Sequence, residues 1–200
     1  MTLADRLREA LALGASRSPV LLPGDLPLPP ADMGAPDIAA AVLIAIVDRP
    51  DPGLILTLRT DSVRRHAGQV AFPGGRIDPG DDGPIAAALR EAEEEIGLPP
   101  HEVEVVGTVD RYRTVTGYQI TPVVGVVPPD LRFTPQPSEV AAIFEAPLAF
   151  LLDERRQQLR TAEWQGSART YFEIEWEDRR IWGATAAMLV NFGRRLAWPS

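Results

Sequence analysis

Arg90, Glu91, Glu94 and Glu95 stand a short distance after a double glycine, Gly74–Gly75. At helical spacing these carboxylates are neighbours, and like charges so placed repel by a few tenths of a kcal/mol per pair. A hard divalent cation turns that cost into a site, because Mg²⁺ takes a few carboxylates together with substrate phosphate oxygens. The chemistry indicated is metal-assisted attack on a phosphate. A bare run of glutamates is more often a solvated acidic face, so its surroundings decide.

The helix itself is readable. Pro84 suits the first helical position, and Asp81, Asp82 and Gly83 sit where a cap and acidic residues favour an N-terminus. Gly97, followed by Leu98, Pro99 and Pro100, is a stop signal. Ile85, Ala88, Leu89, Ala92 and Ile96 fall on one apolar stripe at helical period. On the same wheel Glu91 and Glu95 share a flank with Glu94 beside them, while Glu93 lies on the other flank.

This stretch resembles the Nudix box, G-x5-E-x7-R-E-U-x-E-E-x-G-U with U aliphatic. Arg90, Glu91, Ala92, Glu94, Glu95, Gly97 and Leu98 match in register, and Gly75 matches the opening glycine. Two departures stand out. Aspartate, at Asp81 or Asp82, replaces the first glutamate, and the span from Gly75 to Arg90 is longer than the pattern. The extra length is expected in the loop before the helix, since the helical half keeps its register.

Immediately upstream, I-L-T-L-R-T-D-S-V-R-R-H-A-G-Q-V-A-F-P-G-G (Ile55 to Gly75) resembles the additional motif of the coenzyme A-hydrolysing Nudix branch, L-L-T-x-R-S/A-x3-R-x3-G-x3-F-P-G-G. Arg59, Arg64, Gly68, Phe72, Pro73, Gly74 and Gly75 fall at the expected offsets; Ile55 and Thr60 are mild departures. Thr116 to Pro122 and Ile181 to Ala186 are similar to the same branch. The resemblance runs from about Ile38 to Leu196, with its specificity in the two motif blocks.

The chain carries a formal net charge of −8, so its overall field does not attract an anion. Positive charge has to be local, and Arg59, Arg64, Arg65 and His66, with Gln69 beside them, supply it as candidate substrate-binding residues. Arginine binds phosphate with a planar two-toothed fork. His66 is open to three roles: phosphate donor, buried hydrogen-bonding residue or acid–base group.

Composition closes other routes. Without cysteine there is no thiolate nucleophile, disulfide or thiolate zinc site. All basic side chains other than the two histidines are arginine, which excludes Schiff-base lysines and the Lys-Ser/Thr phosphate loop. No G-x-S-x-G elbow occurs. An acidic balance without a basic stripe argues against nucleic-acid binding. The run Ala39 to Val47 is too short to span a bilayer, and the first residues lack the apolar stretch of a signal peptide. The expectation is a cytoplasmic protein with a small-molecule substrate and no membrane partner; a homodimer is left open.

The 200 residues, 45% of them hydrophobic, suffice for one substantial core. The expected organisation is an N-terminal helix and Pro-rich linker over residues 1–37, then a domain over 38–200. Strands are expected at Ile38–Val47, Gly53–Arg59, Val103–Arg111, Tyr118–Val127, Val140–Phe144 and Thr170–Trp176. Helices are expected at Pro147–Leu152 and Ala184–Leu196 besides the acidic one, with a loop at Pro128–Pro137. Such interleaving gives an α/β fold, and the resemblance implies a Nudix-type α/β/α sandwich with a mixed β-sheet.

The resemblance also implies a role for each residue. Glu91 and Glu95 would be the principal ligands of Mg²⁺ or Mn²⁺, with Glu94 as ligand or bridging partner and the Gly75 carbonyl as a further ligand. Arg90 would pair with a neighbouring glutamate. The general base would be a glutamate of the box or Glu139 on a distant loop, with Glu145 behind it. For Phe72, Tyr112 and Tyr118 packing is favoured over stacking on a base. The implied reaction is hydrolysis of the coenzyme A diphosphate. Two alternatives stay open: another diphosphate substrate (ADP-ribose, a dinucleotide, a nucleoside triphosphate) and a module that senses a nucleotide without cleaving it.

Overall fold

The apolar run Ile38–Val47 forms β1, the strand around which the molecule is organised. Ala41, Leu43, Ala45 and Val47 face one side and Ile44 and Ile46 the other, all of them buried. A strand covered on both faces reads as continuous apolar sequence. The structure, a computed structural model, describes residues 1–21, 38–60, 68–114, 116–164 and 167–197.

In chain order these form α1 (Leu3–Gly14), β1, β2 (Gly53–Arg59), β3 (Val70–Ala71), β4 (Gly74–Arg76), α2 (Gly83–Ile96), β5 (Glu104–Thr108), β6 (Tyr112–Arg113), β7 (Tyr118–Val127), β8 (Val140–Pro147), α3 (Leu148–Leu152), β9 (Gln158–Trp164), β10 (Ser167–Trp176), β11 (Arg179–Trp182) and α4 (Ala184–Leu196). β1 and β7 pair in parallel along their whole length, from Ile38↔Tyr118 to Val47↔Val127. β2 and β4 join β1 antiparallel at its opposite ends. β5 and β6 join β7 antiparallel, and β3 and β8 join β2 antiparallel. The main sheet is therefore mixed. A second antiparallel sheet has the order β11-β10-β9.

Helices cover both faces of the main sheet. Ala87, Ala88, Ala92 and Ile96 of α2 pack with Ala41, Leu43, Ala45 and Ile55. Leu3, Ala4 and Leu7 of α1 and Met188, Leu189 and Phe192 of α4 pack with Ile44, Ile46, Leu54 and Leu56 opposite. This is the expected α/β/α sandwich. Full burial of a side chain such as Ile96 is worth about 1.5–3 kcal/mol, enough to seat the helix. Among the described residues no helix is long and apolar enough to cross a membrane.

The edge of α2 that faces the sheet differs from the sequence wheel. Ala87 is buried and Ile85 is 38% exposed, so the buried arc turns toward Glu91 and Glu95, and Glu95 lies within it. Two glycines on β4 permit this. A Cβ on Gly75 would lie 2.4 Å from Glu91 Oε1, and one on Gly74 would lie 2.4 Å from the Ala41 carbonyl oxygen. The helix stops where expected, at Gly97 in the left-handed region with φ 67°.

β1, β2, β7 and α4 have the expected bounds. The strand expected at Val103–Arg111 is shorter than expected, β5 ending at Thr108, with a register shift against β7 between Val105 and Gly107. β8 and β10 are longer than expected, and β3, β4, β6, β9 and β11 were not foreseen as strands. Residues 22–36 of the Pro-rich linker lie outside the described residues. The N-terminal helix is tied to the core: Arg195 donates to the Gly14 and Ala15 carbonyls at 2.8 and 2.7 Å and pairs with Asp110.

Candidate active site

Glu95 is the centre of the site and is only 4% exposed. Its Oε2 accepts the Gly74 amide at 3.1 Å, and its Oε1 lies 3.7 Å from Arg59 Nη1. Burial pushes its pKa up to about 7; the Gly74 amide and Arg59 oppose that rise, and the charges of Glu91 and Glu139 add to it. Glu91, one turn earlier and half-buried, is also raised, first by burial and against the pull of Arg90. Its carboxylate fills the space that a side chain on Gly75 would need.

The guanidinium of Arg90 organises the other flank. It donates to both oxygens of Asp81 at 2.9 Å, to Glu91 Oε1 and Glu94 Oε2 at 3.1 Å, and to the Arg76 carbonyl at 3.1 Å. Asp81 is held down at about 2, mainly by this fork. Sequence left Asp81 and Asp82 as alternatives for the first acidic position. Asp81 makes the contact, so the added residue falls between Asp81 and Arg90. The capping role expected of this stretch is absent: Asp82 precedes α2 without a side-chain capping bond. Glu94 remains 60% exposed and reaches the cluster through Arg90.

Two strand ends complete the site. Arg59 closes β2, where the pairing with β8 shifts register between Leu58 and Arg59; bulges of this kind occur beside active sites. The Thr60 amide donates to the Glu139 carbonyl at 2.9 Å, which brings the start of β8 to the end of β2. Glu139 is close enough for its charge to raise both Glu91 and Glu95. Gln69 accepts the Arg59 amide through its carbonyl at 3.0 Å. Arg64, Arg65 and His66 lie outside the described residues.

Glu145, the reserve candidate for the base, belongs elsewhere. It pairs across from Ile55 at the far end of β8 and binds Arg49 at 3.2 Å. Phe72 is buried in the core and Tyr112 packs against it, as the packing reading expects. Tyr118 instead faces Arg76, whose guanidinium lies 5.9 Å from its ring centre. Sequence reasoning missed the role of Gly74, whose amide fixes Glu95; the double glycine was its only signal.

Among the described residues no three acidic or histidine side chains converge as a ready-made metal cage. The donor chemistry nevertheless fits a hard cation. The available groups are all oxygens, the Gly75 backbone lies against Glu91 without a Cβ, and Glu95 is buried with little compensating charge. The arrangement can place a cation between α2 and β4, with Arg59 beside it.

The family model for the NUDIX domain matches residues 37–173. Proteins of Escherichia coli O7:K1 (strain IAI39 / ExPEC) and Escherichia coli (strain K12), each described as an uncharacterized Nudix hydrolase NudL, are 50% identical to this chain over 150 residues, 75% of its length and 78% of theirs. Among solved structures, a Nudix hydrolase from M. smegmatis, RenU, is similar over 57% of this chain and 73% of its own, at 25% identity and a TM-score of 0.49.

Proposed function

This chain belongs to the Nudix family, and on that footing we propose that it is a metal-dependent hydrolase cleaving the diphosphate of coenzyme A, or of its thioesters, to 3′,5′-ADP and 4′-phosphopantetheine. One observation carries the substrate assignment. The upstream block that resembles the coenzyme A branch is continuous with the acidic helix, since both Arg59 and Gly74 meet Glu95.

Glu91 and Glu95, with the Gly75 carbonyl, would hold Mg²⁺ or Mn²⁺, and Glu94 would complete the set once freed from Arg90. Such a cation, when bound, neutralises diphosphate charge and makes a bound water more acidic. The protein's own groups do the rest. Glu139 accepts the proton of the water that attacks phosphorus; the bridging P–O bond breaks and the leaving phosphate departs with the electron pair. Arg90, anchored on Asp81, keeps Glu91 in position. Arg59 receives substrate phosphate, with Arg64, Arg65, His66 and Gln69 as the proposed further contacts for a substrate that carries a second, separate phosphate.

Product analysis with Mg²⁺ or Mn²⁺ tests this against coenzyme A, ADP-ribose, NADH and a nucleoside triphosphate mixture. Release of 3′,5′-ADP from coenzyme A, faster than any other cleavage, is the expected result. Preference for another diphosphate removes the substrate assignment and keeps the metal helix. Binding of coenzyme A without any cleavage makes the chain a sensor.

A further inference from the structure

Arg59 stands beside the acidic cluster, and its present contact is loose. At 3.7 Å from Glu95 Oε1 its Nη1 is an ion-pair partner beyond hydrogen-bonding distance. Glu95 does not depend on it for position, because the Gly74 amide fixes the other carboxylate oxygen at 3.1 Å. The Arg59 backbone is also held independently: its amide donates to Gln69 and its carbonyl accepts from Gly68. The guanidinium can therefore leave while its strand and Glu95 both stay in place. Arg90 differs, with its donors spent on Asp81, Glu91, Glu94 and a carbonyl.

The charges that meet here are Glu91 and Glu95 from α2, Glu139 from the turn just before β8 and Arg59 from β2, with Arg90 beyond Glu91. A divalent cation arriving at Glu95 would supply the compensation that Arg59 now gives, and would repel the guanidinium. The Arg59 side chain is 26% exposed, so its planar fork has access to a phosphate at the rim.

We propose that Arg59 is the resident counter-ion of Glu95 in the cation-free protein and is released to a substrate phosphate when a divalent cation takes over that carboxylate. The proposal rests on the reading of Glu91 and Glu95 as cation ligands. It makes Arg59 a positioning residue that couples the two binding events without touching the cation.

The test is thermal denaturation of wild type, Arg59→Gln and Arg59→Lys at pH 8, with EDTA and with saturating Mn²⁺, together with Mn²⁺ titration by calorimetry. With EDTA, Arg59→Gln is expected to melt about 3–6 °C below wild type, and with Mn²⁺ the gap closes to about 1 °C. Thermodynamic closure then requires Mn²⁺ to bind Arg59→Gln about 3- to 10-fold more tightly. Arg59→Lys, which keeps the charge, restores the melting point in EDTA. An equal loss with and without Mn²⁺ marks a purely structural residue and overturns the proposal. No loss in either condition marks a phosphate contact alone and also overturns it. If Mn²⁺ leaves wild type itself unshifted, the cation reading falls together with the proposal, a result distinct from the other two.

Discussion

Glu95 on α2 and Glu173 on β10 are each 4% exposed, yet their surroundings differ in kind. Glu173 has a guanidinium on each oxygen: Arg160 Nε donates at 3.2 Å to one and Arg180 to the other. Arg180 is itself locked, donating to the Tyr171 hydroxyl at 2.8 Å and lying 5.0 Å from the centre of the Trp182 ring. Glu95 has one backbone amide and one loose arginine, and faces two further carboxylates. A buried carboxylate with its charge fully matched is finished structure. One left under-compensated among other carboxylates is what a cation site requires, and the price is instability while the cation is absent.

The largest expected effect separates the two glutamates by activity. Glu95→Gln should lower kcat by about 10²–10⁴-fold with the fold retained, the range expected when an essential charged group is lost. Glu173→Gln should leave kcat within about twofold. Steady-state kinetics with far-UV circular dichroism checks both; unchanged turnover in Glu95→Gln would remove the metal assignment.

Stability should divide them the other way. Glu173→Gln strands two guanidiniums, and because Arg160 and Arg180 are 47% and 51% exposed the loss is discounted to about 1–3 kcal/mol. At about 2–4 °C per kcal/mol this is visible in a melting curve. Glu95→Gln in EDTA at pH 8 should raise the melting temperature instead. A destabilised Glu95→Gln under those conditions would mean that Glu95 is as well matched as Glu173.

The smallest effect is a pH slope. The folded pKa of Glu95, about 7, lies above its ordinary 4.5, so its stabilising contribution is fully present below about 4.5 and lost as pH rises through about 7. Cation-free wild type should therefore lose stability over that window relative to Glu95→Gln, by an amount on the order of 1–3 kcal/mol. Melting temperatures of the two proteins against pH in EDTA measure the difference; parallel curves would show that Glu95 titrates normally.

Much of this contrast was hidden in the sequence for a physical reason. The wheel placed Glu91, Glu94 and Glu95 together, but burial depends on what α2 packs against. The Gly74–Gly75 strand covers Glu95 and part of Glu91 and leaves Glu94 in solvent. Arg59 reads from its motif as a phosphate contact, and its proximity to Glu95 follows only once β2 ends beside α2. The bounds of β1, β2, β7 and α4 were legible because each carries its own apolar pattern. β3, β4 and β6 are two or three residues long and exist only through pairing with distant strands. β9 escaped notice because it buries little apolar sequence, its Leu159 being 59% exposed, and β11 because it is only four residues long. Glu173 gave no sign of burial because the arginines that cover it, Arg160 and Arg180, come from the strands on either side.

The most direct measurement is a calorimetric Mn²⁺ titration of wild type, Glu95→Gln and Glu173→Gln without substrate. The account requires binding to wild type and Glu173→Gln with similar affinity, and its loss or severe weakening in Glu95→Gln. Equal binding to all three proteins would contradict it, because the under-compensated carboxylate would then have no part in holding the cation.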